Sequence, residues 1–380
     1  MKFLRTLSTR SLLLVGVATA FLVVGGTTIA IAATGGSGRV PADKPLPSAI
    51  HQGLAASKPA GITARIRFTN GLFPNGALMG QAGSALMSGA TGRLWVRNDG
   101  RGRLELQSNA GDVQAVWNQG QATVYDASSN TVYRIQLPAR QRQARNAPPS
   151  VAGIGAFLAQ LTKHVNVSSA QPSNVGGRTA YTVQLSPKEA GGLLGSVRLA
   201  WDATHGVPLR AAIYARGGTK PVLELKATSI SYGTVPLSTV AIAPPAGARV
   251  VDLAAPSGRE RGKSEARPTK LPFQVVAPDS LAGLKRSATR VVGHGLHRGV
   301  VVVYGEGLGA ITVLERETGG GSSAGAQLKA LPTVPLDGVE GHELATPLAT
   351  ILTWDRGGVS YVLAGSVRPS VAESAARSLR

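Results

Sequence analysis

The sequence predicts a mainly β protein, in which a curved antiparallel β-sheet forms an unclosed barrel that encloses helices, followed by a smaller C-terminal α+β domain. Many short stretches alternate apolar with polar residues, which is the pattern of half-buried strands. The 48 glycines and 23 prolines supply the frequent turns that such strands need. Apolar residues recur at helical spacing in 150–165, and a short helix with Ser48 as its N-cap is predicted for 47–57.

The N-terminal segment predicts export. Lys2, Arg5 and Arg10 precede an apolar stretch without charges, residues 11–33. This stretch reaches the ~20 residues that a membrane-spanning helix needs, and Ala30-Ile31-Ala32 fits a small-x-small cleavage site. Residues 1–33 are therefore either a signal peptide, which is cleaved to give a secreted or cell-wall protein, or a membrane anchor. In both cases the basic flank places the rest of the chain outside the cytoplasm.

Residues 34–45 are expected to be a tether, and 46–252 the larger β domain. Its strands are predicted at 62–69, 92–99, 103–109, 112–118, 121–127, 131–137, 178–186 and 196–203, then in the hairpin 206–233, with 236–252 closing the unit. Each strand has one apolar side, which a sheet must bury against something. Two short helices cannot fill a sheet of this size, so we expect an apolar cavity that serves as a ligand site.

The residues expected to line this cavity are the apolar members of the alternating strands, with two methionines near its mouth. They are Ile66, Phe68, Met79, Met87, Leu94, Val96, Leu104, Leu106, Tyr181, Val183, Leu199, Leu209 and Ile213. The alternative is that they form an ordinary core between sheet and helices. The Gly-rich segment 71–92, which holds both methionines, is either a loop on the sheet edge or a flexible lid.

A basic linker, 253–270, is predicted to lead into the small α+β domain, 271–380. Its strands are expected at 288–295, 298–307 and 310–317, followed by a hairpin at 350–367 that turns at "DRGG". The chain then ends in a helix, for which Ser370 and Glu373 are a candidate capping box.

Composition excludes several function classes. The chain has no cysteine, so it has no disulfide, no thiolate zinc site and no catalytic thiol. The net charge of +20 favours an anionic membrane or wall surface as a partner. Because the charges are scattered and no basic helix is interleaved with aromatic residues, we expect no nucleic-acid partner.

No motif predicts catalysis, a cofactor or a metal. The glycine-rich 304–309 resembles a phosphate loop, but a strand follows it where a phosphate site needs a helix N-terminus. His294 and His297 have no third ligand nearby. No G-x-S-x-G segment occurs, and Asp202 falls in a turn, where aspartate is common. We therefore expect a binding protein and no enzyme.

Two segments carry a family resemblance. "WDATHGVPLRAAIYARGGTKPVLELKATSISYG" and the following "VAIAPPAGARVV" resemble the C-terminal half of the LolA-like fold, which has the same order of turns and strands. "GATGRLWVRNDGRGRLELQSN" looks like the Gly-x-Leu-Trp-Val segment of that family. The family includes LolA, regulators of the RseB/MucB type and mycobacterial lipid-carrier lipoproteins. Residues 271–380 resemble a domain of unknown function that follows such domains in extracytoplasmic anti-sigma and LolA-like proteins.

The resemblance implies two functions. The first is an extracytoplasmic protein that holds acyl chains of lipid or lipoprotein in its apolar cavity, at the outer face of the cytoplasmic membrane. The second is an RseB-like regulator of a membrane anti-sigma factor, or an envelope stress sensor, without transport. The absent cysteine departs from the lipid-anchored lipoproteins of the family.

Overall fold

The computed structural model describes residues 39–72, 85–137, 148–163, 165–188, 191–253, 271–293, 298–319 and 331–379. Two β-sheets dominate these residues, a first sheet of 13 strands and a second of eight. The mainly β prediction is confirmed: the first sheet is curled into an open half-barrel that does not close on itself. Residues 1–33, the tether up to residue 38, most of the linker and Met79 lie outside the described residues.

The first sheet is built from strands β1 to β13. Their bounds are β1 Gly61–Asn70, β2 Ala90–Arg97, β3 Gly102–Ser108, β4 Gly111–Trp117, β5 Gln121–Asp126, β6 Thr131–Gln136, β7 Val165–Val167, β8 Gln171–Val175, β9 Arg178–Pro187, β10 Leu194–Asp202, β11 Pro208–Ala215, β12 Pro221–Tyr232 and β13 Arg249–Leu253. All strands predicted for this region are present, with small shifts at their ends. The short strands β7 and β8 were not predicted.

Two antiparallel meanders make up this sheet. The strand order is β13-β6-β5-β4-β3-β2-β1-β12-β11-β10-β9-β7, with β8 paired to β9. The first meander, β1 to β6, meets the second, β9 to β12, along the pairing of β1 with β12. One pairing departs from the predicted antiparallel arrangement, because β13 pairs with β6 in parallel. The strands β12 and β6 run in the same direction, and the chain that leaves β12 crosses to β6 and continues there as β13 in that direction.

Four short helices accompany the first sheet: α1 Leu46–Ala55, α2 Ala85–Ser88, α3 Val151–Leu161 and α4 Leu237–Val240. Ser48 lies inside α1, which begins after Pro45 with no side-chain cap, so the predicted N-cap was wrong. In α3 the Ser150 side chain caps the helix by accepting the Gly153 N–H over 3.1 Å. None of the helices among the described residues is long and apolar enough to cross a membrane.

The second sheet holds strands β14 to β21 and is followed by helix α5, Pro369–Ser378. The strand bounds are β14 Ser280–Leu281, β15 Leu284–Val292, β16 Gly299–Tyr304, β17 Ile311–Glu317, β18 Thr333–Leu336, β19 Val339–Ala345, β20 Thr350–Arg356 and β21 Val359–Gly365. The order is β14-β15-β16-β17-β21-β20-β19-β18. Ser370 lies inside α5, whose N-cap is Arg368, so no capping box forms; Glu373 instead pairs with Arg377 over 2.7 Å.

Candidate ligand-binding face

The first sheet has an inner face, defined as the face on which α1 and α2 pack. Strand pairing places two rows of apolar residues on it, since residues directly opposite each other point to the same side of a sheet. The first row is Val183, Leu199, Ala211, Leu225 and Phe68. The second row is Val167, Leu185, Val197, Ile213 and Leu223. We call these ten residues the inner strip.

Helix α2 covers the inner face on the β1–β4 side of the strip. Ala85 and Leu86 of α2 pack with residues of β1, β3 and β4 in one apolar cluster. Five residues that were predicted to line the cavity belong to this cluster: Ile66, Phe68, Leu94, Leu104 and Leu106. Ile66 and Leu106 are fully buried there. These five are part of a sheet–helix core in the described structure.

Helix α1 covers the inner face at the other end of the strip, over β9 and β10. Ala49 packs with Tyr181 and Trp201, and Gly53 lies against the Trp201 ring. The Tyr181 hydroxyl donates to the Ala42 carbonyl over 2.8 Å, and burial raises the pKa of Tyr181. The predicted cavity residue Tyr181 is therefore held in a polar and aromatic contact beneath α1.

A close backbone approach fixes α1 in this place. Gly206 has a φ of 65° and lies directly beneath Gly53, where an added Cβ would stand 2.1 Å from the Gly53 carbonyl oxygen. Only glycine combines this backbone conformation with so short an approach. The turn between β10 and β11 thereby sets how much of the inner face α1 can cover.

Between the two helices most of the inner strip is only partly buried, whereas Val183 is buried and Phe68 and Leu225 pack against the α2 cluster. Val183, Leu199 and Ile213 belong to none of the apolar clusters in the described part of the chain. Leu199, Ile213 and the other members of the second row are only partly buried. Of the remaining predicted residues, Leu209 packs in a small cluster beside Ala227. Val96 on β2 and Met87 on α2 are half-buried.

Helix α3 adds a second exposed apolar surface beside α1. It has no charged residue and packs against α1, where the His51 ring lies 2.8 Å from the Pro149 carbonyl oxygen. Ile154 is buried, whereas Phe157 is 65% exposed. A helix that is apolar on all sides is normally covered by something apolar.

A polar cluster around Asp202 anchors the end of the strip. Asp202 is buried, and its Oδ1 accepts the N–H groups of Thr204 and His205, each over 2.8 Å. The Tyr232 hydroxyl donates to Asp202 Oδ2 over 2.7 Å, and burial, with the Asp202 charge, raises the pKa of Tyr232. These bonds tie the β10–β11 turn to β12. Asp202 thus stabilises the turn in which the sequence places it, by accepting hydrogen bonds from its backbone.

The described residues hold no group of three or more His, Asp or Glu side chains that could bind a metal ion. His294 and His297 lie outside the described residues. His342 is on β19, where its ring Nδ1 lies 3.2 Å from the Leu331 carbonyl oxygen. The glycine-rich 304–309 joins β16 to β17 as a hairpin connection, with a strand after it as expected.

The chain is similar to several solved structures. The chain is similar to MucB in its complex with MucA(peri), with 15% identity, covering 88% of this chain and 96% of that one at a TM-score of 0.43. A Pseudomonas aeruginosa MucA/MucB structure gives 17% identity, 88% and 95% coverage and a TM-score of 0.43. The chain is also similar to a LolA superfamily protein from Nitrosomonas europaea, with 11% identity, covering 52% of this chain and 98% of that one at a TM-score of 0.22. No family model and no curated protein matches.

Six of the ten residues of the inner strip were not among the predicted cavity residues. They are Val167, Leu185, Val197, Ala211, Leu223 and Leu225. Counting by two along the strands from Val183, Leu199, Ile213 and the residue opposite Phe68 would have found five of them. Val167 lies on a strand of three residues, which leaves too little alternation to detect.

Proposed function

We propose that the inner strip binds acyl chains of a lipid or lipoprotein, outside the cytoplasm and at the outer face of the cytoplasmic membrane. The observation that carries this proposal is the pair of apolar rows between α1 and α2, most of whose residues are only partly buried. Burial of an acyl chain contributes about 0.8 kcal/mol per CH₂, so such a surface needs no special polar group to hold its ligand.

The weak closure of the first sheet supports this role. Of the twelve largest side chains that are fully buried in the described residues, only Val132 and Val240 come from the larger, first sheet and its helices. A sheet that packed tightly on its helices would bury its large side chains completely. An open apolar face is the form that a ligand-binding surface takes, and the exposed Phe157 of α3 adds to it.

The proposal includes the place of action and the absence of catalysis. Export rests on residues 1–33, as an anchor or a cleaved signal. The protein then holds its ligand without changing it, because the inner strip offers aliphatic contacts and no nucleophile or acid–base pair.

Native mass spectrometry with solvent extraction tests the proposal on the chain from residue 34 onward, which contains every described residue. We expect a bound species in the mass range of a lipid. Leu199→Asn and Ile213→Asn should remove it, because each places an amide in the apolar rows. Val301→Asn is the matched control, since Val301 is similarly half-buried on the second sheet. A clean protein mass that stays unchanged after incubation with phospholipid would overturn the proposal.

A second candidate function is regulation of a membrane anti-sigma factor or another envelope sensor. The layout of two sheets in one exported chain favours it, because the second sheet is a separate closed unit that could carry a partner. A pull-down that recovers a membrane anti-sigma factor, from protein that contains no lipid, would support this function over acyl-chain binding.

In the mass spectrometry experiment, circular dichroism of the Leu199→Asn and Ile213→Asn variants checks that loss of the bound lipid does not reflect unfolding.

A further inference from the structure

Four basic side chains meet on the outer face of the first sheet, opposite the inner strip. Arg65 and Arg67 project from β1, Arg93 from β2 and Lys226 from β12. Strand register places Arg65 directly opposite Arg93, and Arg67 directly opposite Lys226. The three arginines are exposed, and Lys226 is half-buried. We call these four residues the outer cationic patch.

This arrangement is unfavourable by itself, since like charges directly opposite each other destabilise a sheet. The neighbouring carboxylates are engaged elsewhere. Glu105, opposite Arg93, is bound by Arg103, and Glu224 is bound by Arg210. Within the described residues the patch therefore has no carboxylate of its own, although the fold places two such pairs side by side.

The patch lies at the crest of the curled sheet. β1 is near the middle of the strand order, with six strands on one side and five on the other along the main path. The segment around α4 covers the outer face only farther along β2 and β3, where Arg103 donates to the Thr239 carbonyl over 3.3 Å. The crest of a convex surface is the part that can touch a plane.

We propose that the outer cationic patch docks this protein on the phosphate headgroups of an anionic phospholipid membrane. Guanidinium groups match phosphate oxygens in a planar, two-point geometry, and each basic side chain near an anionic bilayer strengthens binding. The neighbours on this face, Thr63, Thr91 and Ser229, are small, polar and exposed, so contact stays at the level of the headgroups. The net charge of +20 draws the chain to the same surface.

Docking through this patch is separate from acyl-chain binding, because the inner strip lies on the opposite face of the sheet. Loss of one should leave the other unchanged. Failure of the docking proposal is therefore distinguishable from failure of the proposed function.

Vesicle co-sedimentation tests the proposal with the chain from residue 34 onward. The probes are vesicles of phosphatidylglycerol mixed with phosphatidylcholine, and vesicles of phosphatidylcholine alone, at low and high salt. The patch variant carries Arg65→Gln, Arg67→Gln, Arg93→Gln and Lys226→Gln. The control removes the same charge at four other exposed positions, with Arg134→Gln, Lys188→Gln, Arg249→Gln and Arg290→Gln.

We expect salt-sensitive binding to the anionic vesicles, weakened about tenfold or more in the patch variant and less than about threefold in the control. Equal weakening in both variants would overturn the proposal, and so would equal binding to both kinds of vesicle. Binding to polyglutamate without binding to the anionic vesicles would overturn it in favour of an acidic polypeptide. Thermal unfolding should show the patch variant to be no less stable than the parent, because two repulsive pairs are gone.

Discussion

The two sheets close their apolar faces to different degrees. The smaller second sheet supplies nine of the twelve largest fully buried side chains among the described residues, including Trp354, Leu352 and Leu363, and Leu379 just after α5 adds a tenth. Helix α5 and the segment 271–277 pack over it and complete one continuous cluster. The first sheet divides its apolar residues among three smaller clusters and leaves most of the inner strip only partly buried. The second sheet is therefore closed by its own side chains, whereas the first sheet keeps the apolar surface to which we assign the proposed ligand.

The sharpest test of this comparison exchanges leucine for alanine in each sheet. Leu363→Ala should lower the free energy of unfolding by about 2–5 kcal/mol, because Leu363 is completely buried. Leu199→Ala should lower it by about 1 kcal/mol or less, because the residue is only partly buried. Urea unfolding gives the free energies, and hydrogen exchange shows which sheet has opened. Equal losses in the two variants would contradict an open first sheet.

The next effect concerns the anchor that holds the strip in place. Asp202→Asn should destabilise the first sheet by about 1–3 kcal/mol, since an amide cannot replace both oxygens as acceptors for three donors. Tyr232→Phe removes a single donor from the same cluster and should cost less. Thermal unfolding measures both variants. Unchanged thermal stability in Asp202→Asn would contradict the structural role of this residue.

A pH effect should separate the two sheets. Burial raises the pKa of Glu315 in the second core, opposed by the Val276 N–H that donates to its Oε2 over 2.8 Å. Burial and the nearby Glu373 also raise the pKa of Glu343. At pH values just above the ordinary pKa of glutamate, the folded second sheet thus binds more protons than the unfolded chain. Its free energy of unfolding therefore falls as the pH rises from the ordinary pKa through the raised pKa values of these two carboxyls.

Thermal unfolding between pH 4.5 and 7.5, with hydrogen exchange to locate the opening, measures this dependence. Glu315→Gln should reduce the slope, because the amide does not titrate and still accepts from Val276. The control Glu317→Gln changes an exposed residue on the same strand and should leave the slope unchanged. A slope that is the same in the parent and in Glu315→Gln would show that this carboxyl does not contribute.

The smallest expected effect lies on α3. Phe157→Ser should change the free energy of unfolding by less than about 0.5 kcal/mol, because the ring is 65% exposed. Ile154→Ser is the matched change on the buried side of the same helix and should cost clearly more. A large loss from Phe157→Ser would mean that the ring is covered in solution, which urea unfolding would detect.

Most strands of this fold could be predicted from the sequence, because each strand of the two meanders has its own alternation of apolar and polar residues. The hairpin of β18 and β19 was not predicted, although its Asp-Gly dipeptide is typical of a tight hairpin turn. In the structure Asp337 and Gly338 have the positive φ values that such a turn requires. The parallel pairing of β13 has no local signal, since it depends on where the chain returns. Both predicted helix caps failed because prolines at the first turn already set the backbone.

The candidate site was predictable only as a set of apolar positions. Leu106 and Leu199 are equivalent in sequence, since each alternates with polar neighbours on a strand. Helix α2 buries Leu106, whereas no described apolar cluster includes Leu199. Whether such a leucine becomes part of a core therefore depends on where the short helices pack, which is a property of tertiary structure.

The seam between β1 and β12 also determines the order of events when the chain folds. It pairs Ile62 with Tyr232, so its ends are far apart in the sequence, whereas the neighbouring hairpins form between adjacent segments. Closing a long loop is slower than zipping a hairpin. The two meanders should therefore form first as separate halves, with their apolar sides unprotected, and join last.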